Sequence, residues 1–203
     1  MNAIDQLMRT APVIPVLVID DLAHAVPIAQ ALVAGGLPVL EVTLRTACAL
    51  DVIKAMKQVP GAIVGAGTVL NPADLEAALA AGSEFIVSPG LTENLGKAAV
   101  ASGVPFLPGT ANASDIMLGM DLGLRRFKFF PAEASGGTAA LKAISAPFGE
   151  ARFCPTGGIT QATAPNWLGL DAVLCVGGSW LVNKGAPDTA AITAAARAAA
   201  ALT

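Results

Sequence analysis

The sequence predicts an α/β fold, a (β/α)8 TIM barrel with a short N-terminal helix, as one domain over residues 1–203. Three observations predict it. Apolar strand-like runs alternate with Ala-rich helical runs along the whole length, the pattern of parallel βαβ units. Eight such units fit in the chain, the number that closes a barrel. No linker or low-complexity stretch divides it. The chain lies near the small end for this fold, so its loops must be short. An open doubly wound sheet is the structural alternative.

In order, residues 1–10 read as a small helix covering the barrel's bottom. Strands are predicted at 13–19, 38–44, 62–67, 84–88, 104–107, 126–130, 152–155 and 172–176, where short apolar runs fall between the helical patterns. Helices are predicted at 22–34, 49–58, 72–81, 93–101, 114–122 and 137–144. The one at 72 is introduced by Asn71-Pro72, a cap followed by proline in the first turn. The Ala-rich tail 190–201 reads as a last packing helix.

Composition excludes several classes. The chain is 54% hydrophobic and 13% charged, which permits a sizeable core. Net charge is −3 and the basic residues are dispersed, so no nucleic-acid partner is expected. Gly, Pro, Asn and Thr interrupt every long uncharged segment, so no membrane span is expected. The first residues lack the basic-then-apolar layout of a secretory signal. Cys48, Cys154 and Cys175 are odd in number and have no metal-type spacing. They read as free core thiols in a reducing cytoplasm. His24 is the single histidine, with a surface or packing role expected, so a metal site built on several histidines is excluded.

The chemistry is concentrated at strand ends. In Arg125-Arg126-Phe127-Lys128-Phe129-Phe130-Pro131, alternation puts Phe127 and Phe129 on one face and Lys128 and Phe130 on the other. Lysine is rarely buried without cause. Burial favours a neutral amine, the nucleophile of Schiff-base chemistry. The competing reading is a lysine that snorkels to solvent. Glu41, Thr43 and Arg45 are spaced by two and share a face. Turned inward, they offer an acid–base carboxylate and a guanidinium for a substrate anion. Turned elsewhere, they are a structural ion pair. Thr68 ends the third strand after Gly65-Ala66-Gly67, and Pro89 ends the fourth. The last two strands end in Thr156-Gly157-Gly158 and Gly177-Gly178-Ser179. Paired glycines there allow backbone N–H groups and a following helix N-terminus to converge on phosphate. Simple packing turns are the alternative.

With Glu41-Val42-Thr43-Leu44-Arg45-Thr46, Gly65-Ala66-Gly67-Thr68, Phe127-Lys128-Phe129-Phe130-Pro131-Ala132-Glu133, Pro155-Thr156-Gly157-Gly158-Ile159 and Gly177-Gly178-Ser179-Trp180 in this order, the chain resembles a known family. That family is the 2-dehydro-3-deoxy-6-phosphogluconate (KDPG) aldolases, with bifunctional KDPG/4-hydroxy-2-oxoglutarate members. The resemblance spans nearly the full length and is weakest in the first ten residues and the tail. Asp20-Asp21 is acidic where relatives carry basic residues, so that loop's contacts are not carried over.

The resemblance implies a cytoplasmic, homotrimeric class I aldolase of the Entner–Doudoroff pathway that needs no metal or cofactor. It would cleave its phosphorylated 2-keto-3-deoxy sugar acid to pyruvate and D-glyceraldehyde 3-phosphate. By motif position, Lys128 is the Schiff-base lysine and Glu41 the proton shuttle. Arg45 and Thr68 bind the pyruvyl carboxylate. Gly157, Gly158, Gly178 and Ser179 hold the distal phosphate, and Pro89, Phe130 and Thr156 line the pocket. Two other classes stay open on the residues alone: a phosphosugar isomerase or epimerase, and a non-catalytic phospho-ligand binder.

Overall fold

The computed structural model describes residues 3–202. Helix α1 (Ala3–Met8) leads into β1 (Val13–Leu17), a 3-10 turn (Leu22–His24), α2 (Ala25–Ala34), β2 (Val39–Thr43), α3 (Ala49–Met56), β3 (Ile63–Gly67) and α4 (Pro72–Ala80). Then come β4 (Ile86–Val87), α5 (Glu93–Ser102), β5 (Phe106–Leu107), β6 (Gly109–Thr110), α6 (Ala113–Asp121) and β7 (Arg126–Phe129). The chain ends with α7 (Gly137–Ser145), β8 (Arg152–Pro155), α8 (Ala164–Leu168), β9 (Val176–Gly178) and α9 (Thr189–Ala200). The N-terminal helix is shorter than the predicted 1–10, and residues 1 and 2 lie outside the described residues. No helix among the described residues is long and apolar enough to cross a membrane.

All strand pairs are parallel, and they close a ring. β2 pairs with β1 and β3, β3 with β4, and β4 with β5. β6 pairs with β7 and β7 with β8. β5 and β6 are two halves of the fifth barrel strand, interrupted at Pro108, which has no N–H to give. Its carbonyl still accepts from Lys128 N at 2.8 Å, so the ladder continues across the break. Single bridges Phe153↔Val173 and Thr156↔Gly177 join β8 to β9, and Val13↔Val176 through Pro15↔Gly178 join β9 back to β1.

Local chemistry sets the boundaries. Asn71, Thr92, Asn112 and Asp188 each accept from the backbone N–H three residues on, which starts α4, α5, α6 and α9. The predicted helix 22–34 is divided. Pro27 is tolerated only in a first helical turn, so the α-helix starts at Ala25 behind a 3-10 turn held by Asp21. The eighth barrel strand lies later than the predicted 172–176. Val173 N is used by a turn to Leu170 O at 2.8 Å, so regular pairing starts only at Val176. The five-residue α8 was not predicted; it is too short to show a period.

Alternation in the strands builds two separate apolar layers. Val13, Leu17, Leu40, Val42, Val64, Ala66, Phe127, Phe129 and Phe153 point outward into the layer under the helices. Ile14, Val39, Val87, Leu107, Cys154 and Cys175 fill the bore, capped from below by Ile4, Leu7 and Met8 of α1. Arg126, at the start of β7, hydrogen-bonds the buried Asp5 and ties this plug to the strand that carries Lys128. Arg9 adds a second bond to Asp5 at 3.0 Å. Burial alone would raise the Asp5 carboxyl, but the hydrogen bonds and charges of Arg126 and Arg9 outweigh it and hold it below 3.8.

Candidate active site

Lys128 is the third of the four residues of β7 and points into the bore, because its neighbours Phe127 and Phe129 take the outward face. It is 6% exposed, so it does not snorkel. Its Nζ lies 2.9 Å from Glu41 Oε1, with Glu41 3% exposed. The ammonium also sits 5.4 Å from the centroid of the Phe130 ring, within reach of a cation–π contact. The two partners come from the second and sixth strands of an eight-stranded ring, so the pair spans the bore. A proton can pass across 2.9 Å between carboxylate and amine, which leaves a nucleophile on one side and an acid on the other.

Gly67 shapes this pair. It points inward on β3 beside Glu41, and a Cβ there would lie 2.7 Å from Glu41 Cγ and 2.8 Å from Cδ. Only a residue without a side chain leaves the carboxylate in its place. The next residue, Thr68, has φ 61°, the one non-glycine residue in the left-handed region among the described residues. A β-branched residue there is strained, a feature that clusters at functional sites. The sequence carried no sign of this strain.

Thr43 shares the inward face of β2 with Glu41, as their spacing suggested, and both are buried. The Thr43 hydroxyl donates to Leu17 O at 2.8 Å and is used structurally. Arg45 lies past the end of β2 in an exposed turn, with no ion pair among the described residues. That turn is stitched to the end of β1: Thr46 Oγ1 donates to Ile19 O at 2.8 Å, and the Cys48 thiol donates to the same oxygen at 3.3 Å. These stitches were not anticipated. Cys48 is half-buried at the mouth and is not a core residue, whereas Cys154 and Cys175 are buried. The Cys175 thiol is pushed well above its ordinary value by its hydrogen bond with Cys154 and by burial, so it stays protonated. His24 is a partly exposed member of the 3-10 turn, 3.9 Å from Asp21, and lies outside the site.

Thr68, Pro89 and Arg45 occupy the loops at the C-terminal end of the barrel strands. No hydrogen bond or ion pair joins them to Lys128 or Glu41 among the described residues. The glycine turns do come together. Thr156 at the end of β8 bridges to Gly177 of β9, which puts Gly157-Gly158 beside Gly178-Ser179. Gly157 and Gly158 have φ 106° and 79°, left-handed conformations that glycine adopts without steric cost. Among the described residues, the N–H groups of Gly158 and Ser179 have no acceptor, whereas that of Gly157 faces Gly177 in the Thr156↔Gly177 bridge. The expected helix after Ser179 is absent. Residues 179–182 form a turn, and α9 begins only at Thr189, where Asp188 already caps it. No helix dipole is therefore aimed at this turn from the residues that follow Ser179. A groove of about 560 Å³ between α2 and α9 has Arg197 as its one charged wall and no acid–base pair, so it is not the reactive centre.

The family model "KDPG and KHG aldolase" matches residues 4–195. The chain belongs to the KDPG and KHG aldolase family. It is 64% identical to the 2-dehydro-3-deoxy-phosphogluconate aldolase of Zymomonas mobilis over 99% of this chain and 97% of that one. Its fold superposes with TM-score 0.98 on the 2-keto-3-deoxy-6-phosphogluconate aldolase of Zymomonas mobilis with 3-phosphoglycerate, at 64% identity over 99% of this chain and 96% of that one. It also superposes with TM-score 0.95 on the KDPG aldolase of Legionella pneumophila, at 43% identity over 98% and 99% of the two chains. In that structure pyruvate is captured as a covalent carbinolamine.

Proposed function

We propose that this family member is a class I, Schiff-base aldolase that cleaves KDPG to pyruvate and D-glyceraldehyde 3-phosphate, with 4-hydroxy-2-oxoglutarate as a second substrate. One observation carries the proposal: a buried lysine bonded at 2.9 Å to a buried carboxylate across the bore of a barrel. An isomerase has no use for the buried amine, and a passive binder has none for either group. The covalent carbinolamine in the Legionella relative supports the same chemistry.

The steps follow from the residues. The Lys128 amine adds to the keto carbon to give a carbinolamine, and loss of water leaves an iminium. Glu41 takes the proton of the substrate's C4 hydroxyl, directly or through a water. The C3–C4 bond then breaks, its electron pair flows into the iminium, and the aldehyde leaves. Glu41 returns a proton to the enamine carbon, and water releases pyruvate from Lys128. Arg45 and Thr68 hold the pyruvyl carboxylate; Pro89, Phe130 and Thr156 line the pocket. Gly157, Gly158, Gly178 and Ser179 receive the distal phosphate, with the free N–H groups of Gly158 and Ser179 as donors. The chain works as one domain over 1–203, in a homotrimer in the cytoplasm, a compartment that the phosphorylated substrate and the free thiols support.

Incubation with pyruvate and borohydride tests this reading. One reduced pyruvyl group is expected on Lys128, and none in Lys128→Met, which fills a similar volume without an amine. Labelling of Lys142 or Lys184 instead would overturn the assignment.

A further inference from the structure

Glu133 and Trp167 take no part in the chemistry above, yet Glu133 grips the turn that would receive the phosphate and Trp167 holds Glu133. Trp167 is 1% exposed, and its indole Nε1 donates to Glu133 Oε1 at 3.0 Å. Its ring also packs against Phe129, the neighbour of Lys128, with centroids 6.3 Å apart. On the other side, the backbone of the β7 loop binds the β8 loop directly. Ala132 N donates to Thr156 O at 2.8 Å and Glu133 N to Gly157 O at 3.1 Å. The Glu133 stem fills the space beside Gly158, where an added Cβ would lie 2.8 Å from both Glu133 Cβ and Cγ. The turn therefore leans on Glu133, and Glu133 is fixed at its far end by a buried indole on α8.

We propose that Glu133 and Trp167 are positioning residues that set the Gly157-Gly158 turn for the substrate's phosphate. The proposal rests on the phosphate reading of that turn. The Glu133 carboxylate touches no reacting atom. It acts through its backbone bond to Gly157 and its stem against Gly158, and the Trp167 bond stops it from swinging out to solvent. Without that bond, the Gly157-Gly158 turn loses its fixed place, while Lys128 and Glu41 on their own strands are unaffected.

The variants Trp167→Phe and Glu133→Ala remove donor and acceptor in turn, and Glu133→Gln keeps an acceptor oxygen. Two reactions are measured: KDPG cleavage, which uses the phosphate, and exchange of pyruvate methyl protons, which needs Lys128, Glu41 and the carboxylate-binding residues but no phosphate site. Trp167→Phe and Glu133→Ala are expected to raise KM for KDPG about tenfold, the scale of one hydrogen bond to a charged group. KM for pyruvate exchange is expected to stay close to wild type, with Glu133→Gln near wild type in both. Equal losses in both reactions, tracking a lower Tm, would mean a purely structural bond and overturn the proposal. Ser179→Asp is the control for the phosphate reading, since it places a negative charge at the site. If it raises KM for KDPG and the clamp variants do not, the clamp proposal falls and the phosphate site stands. If it leaves KM for KDPG unchanged, both fall.

Discussion

Gly67→Ala tests whether the placement of Glu41 is as tight as the geometry requires. The backbone at Gly67 is not in the left-handed region, so alanine is compatible with it and the change acts through the added Cβ alone. That Cβ would start 2.7 Å from Glu41 Cγ and 2.8 Å from Cδ. Carbon atoms settle at roughly 3.5 Å, so the carboxylate must retreat by at least about 0.7 Å, and Oε1, which the Cβ meets first, by more. If it moves directly away from Lys128, its 2.9 Å hydrogen bond lengthens to about 3.6 Å or more, which is no longer a hydrogen bond. A misplacement of this size costs about 10²-fold in rate. The assay follows pyruvate methyl-proton exchange by NMR beside borohydride trapping. Exchange is expected to fall by about that factor while trapping at Lys128 persists, because the amine remains. Exchange at the wild-type rate would refute the reasoning, since Glu41 would then be either free to move without loss or not the shuttle.

Glu41→Gln removes the proton acceptor and keeps the shape, so turnover is expected to drop about 10²–10⁴-fold with partial trapping retained; full exchange activity would exclude Glu41. Chelator is expected to leave KDPG cleavage unchanged, because the iminium serves as the electron sink; activity lost to chelator and restored by zinc or magnesium would defeat the Schiff-base mechanism. Asp5 gives an acid-stability signature. Its folded carboxyl titrates below 3.8, so its pairing with Arg126 and Arg9 stabilises fully above that value and is lost as pH falls through the lower folded value. Urea midpoints of wild type and Asp5→Asn are expected to differ by a constant amount above about pH 4 and to converge below it; a gap that persists to pH 2 would remove Asp5 from the account.

Much of the fold was readable because two periods alternate along the chain. The inward position of Lys128 followed from the period of two and from its phenylalanine neighbours, and the structure places it there. The pairing of Lys128 with Glu41 was readable only once a barrel was assumed, because 87 residues separate them. The same period says less about Arg45, because it holds only within a strand, and β2 ends at Thr43. The turn after Ser179 was misread as a helix start, since a glycine pair at a strand end does not by itself tell a plain turn from a helix N-terminus. The strain at Thr68 and the Glu133–Trp167 bond were not readable, because both are fixed by where the neighbouring strands and loops arrive.

The Lys128–Glu41 pair has a consequence for how the molecule can be watched while it folds. Its partners sit on opposite walls of the bore, so they meet only after the ring has closed. A chain with every helix formed and one seam unzipped would hold the amine and the carboxylate apart, and each would face water. Exchange of pyruvate methyl protons, which needs Lys128 and Glu41 together, is thus a chemical report on topology. It distinguishes a sealed cylinder from an open ribbon of the same secondary structure, which far-ultraviolet dichroism does not.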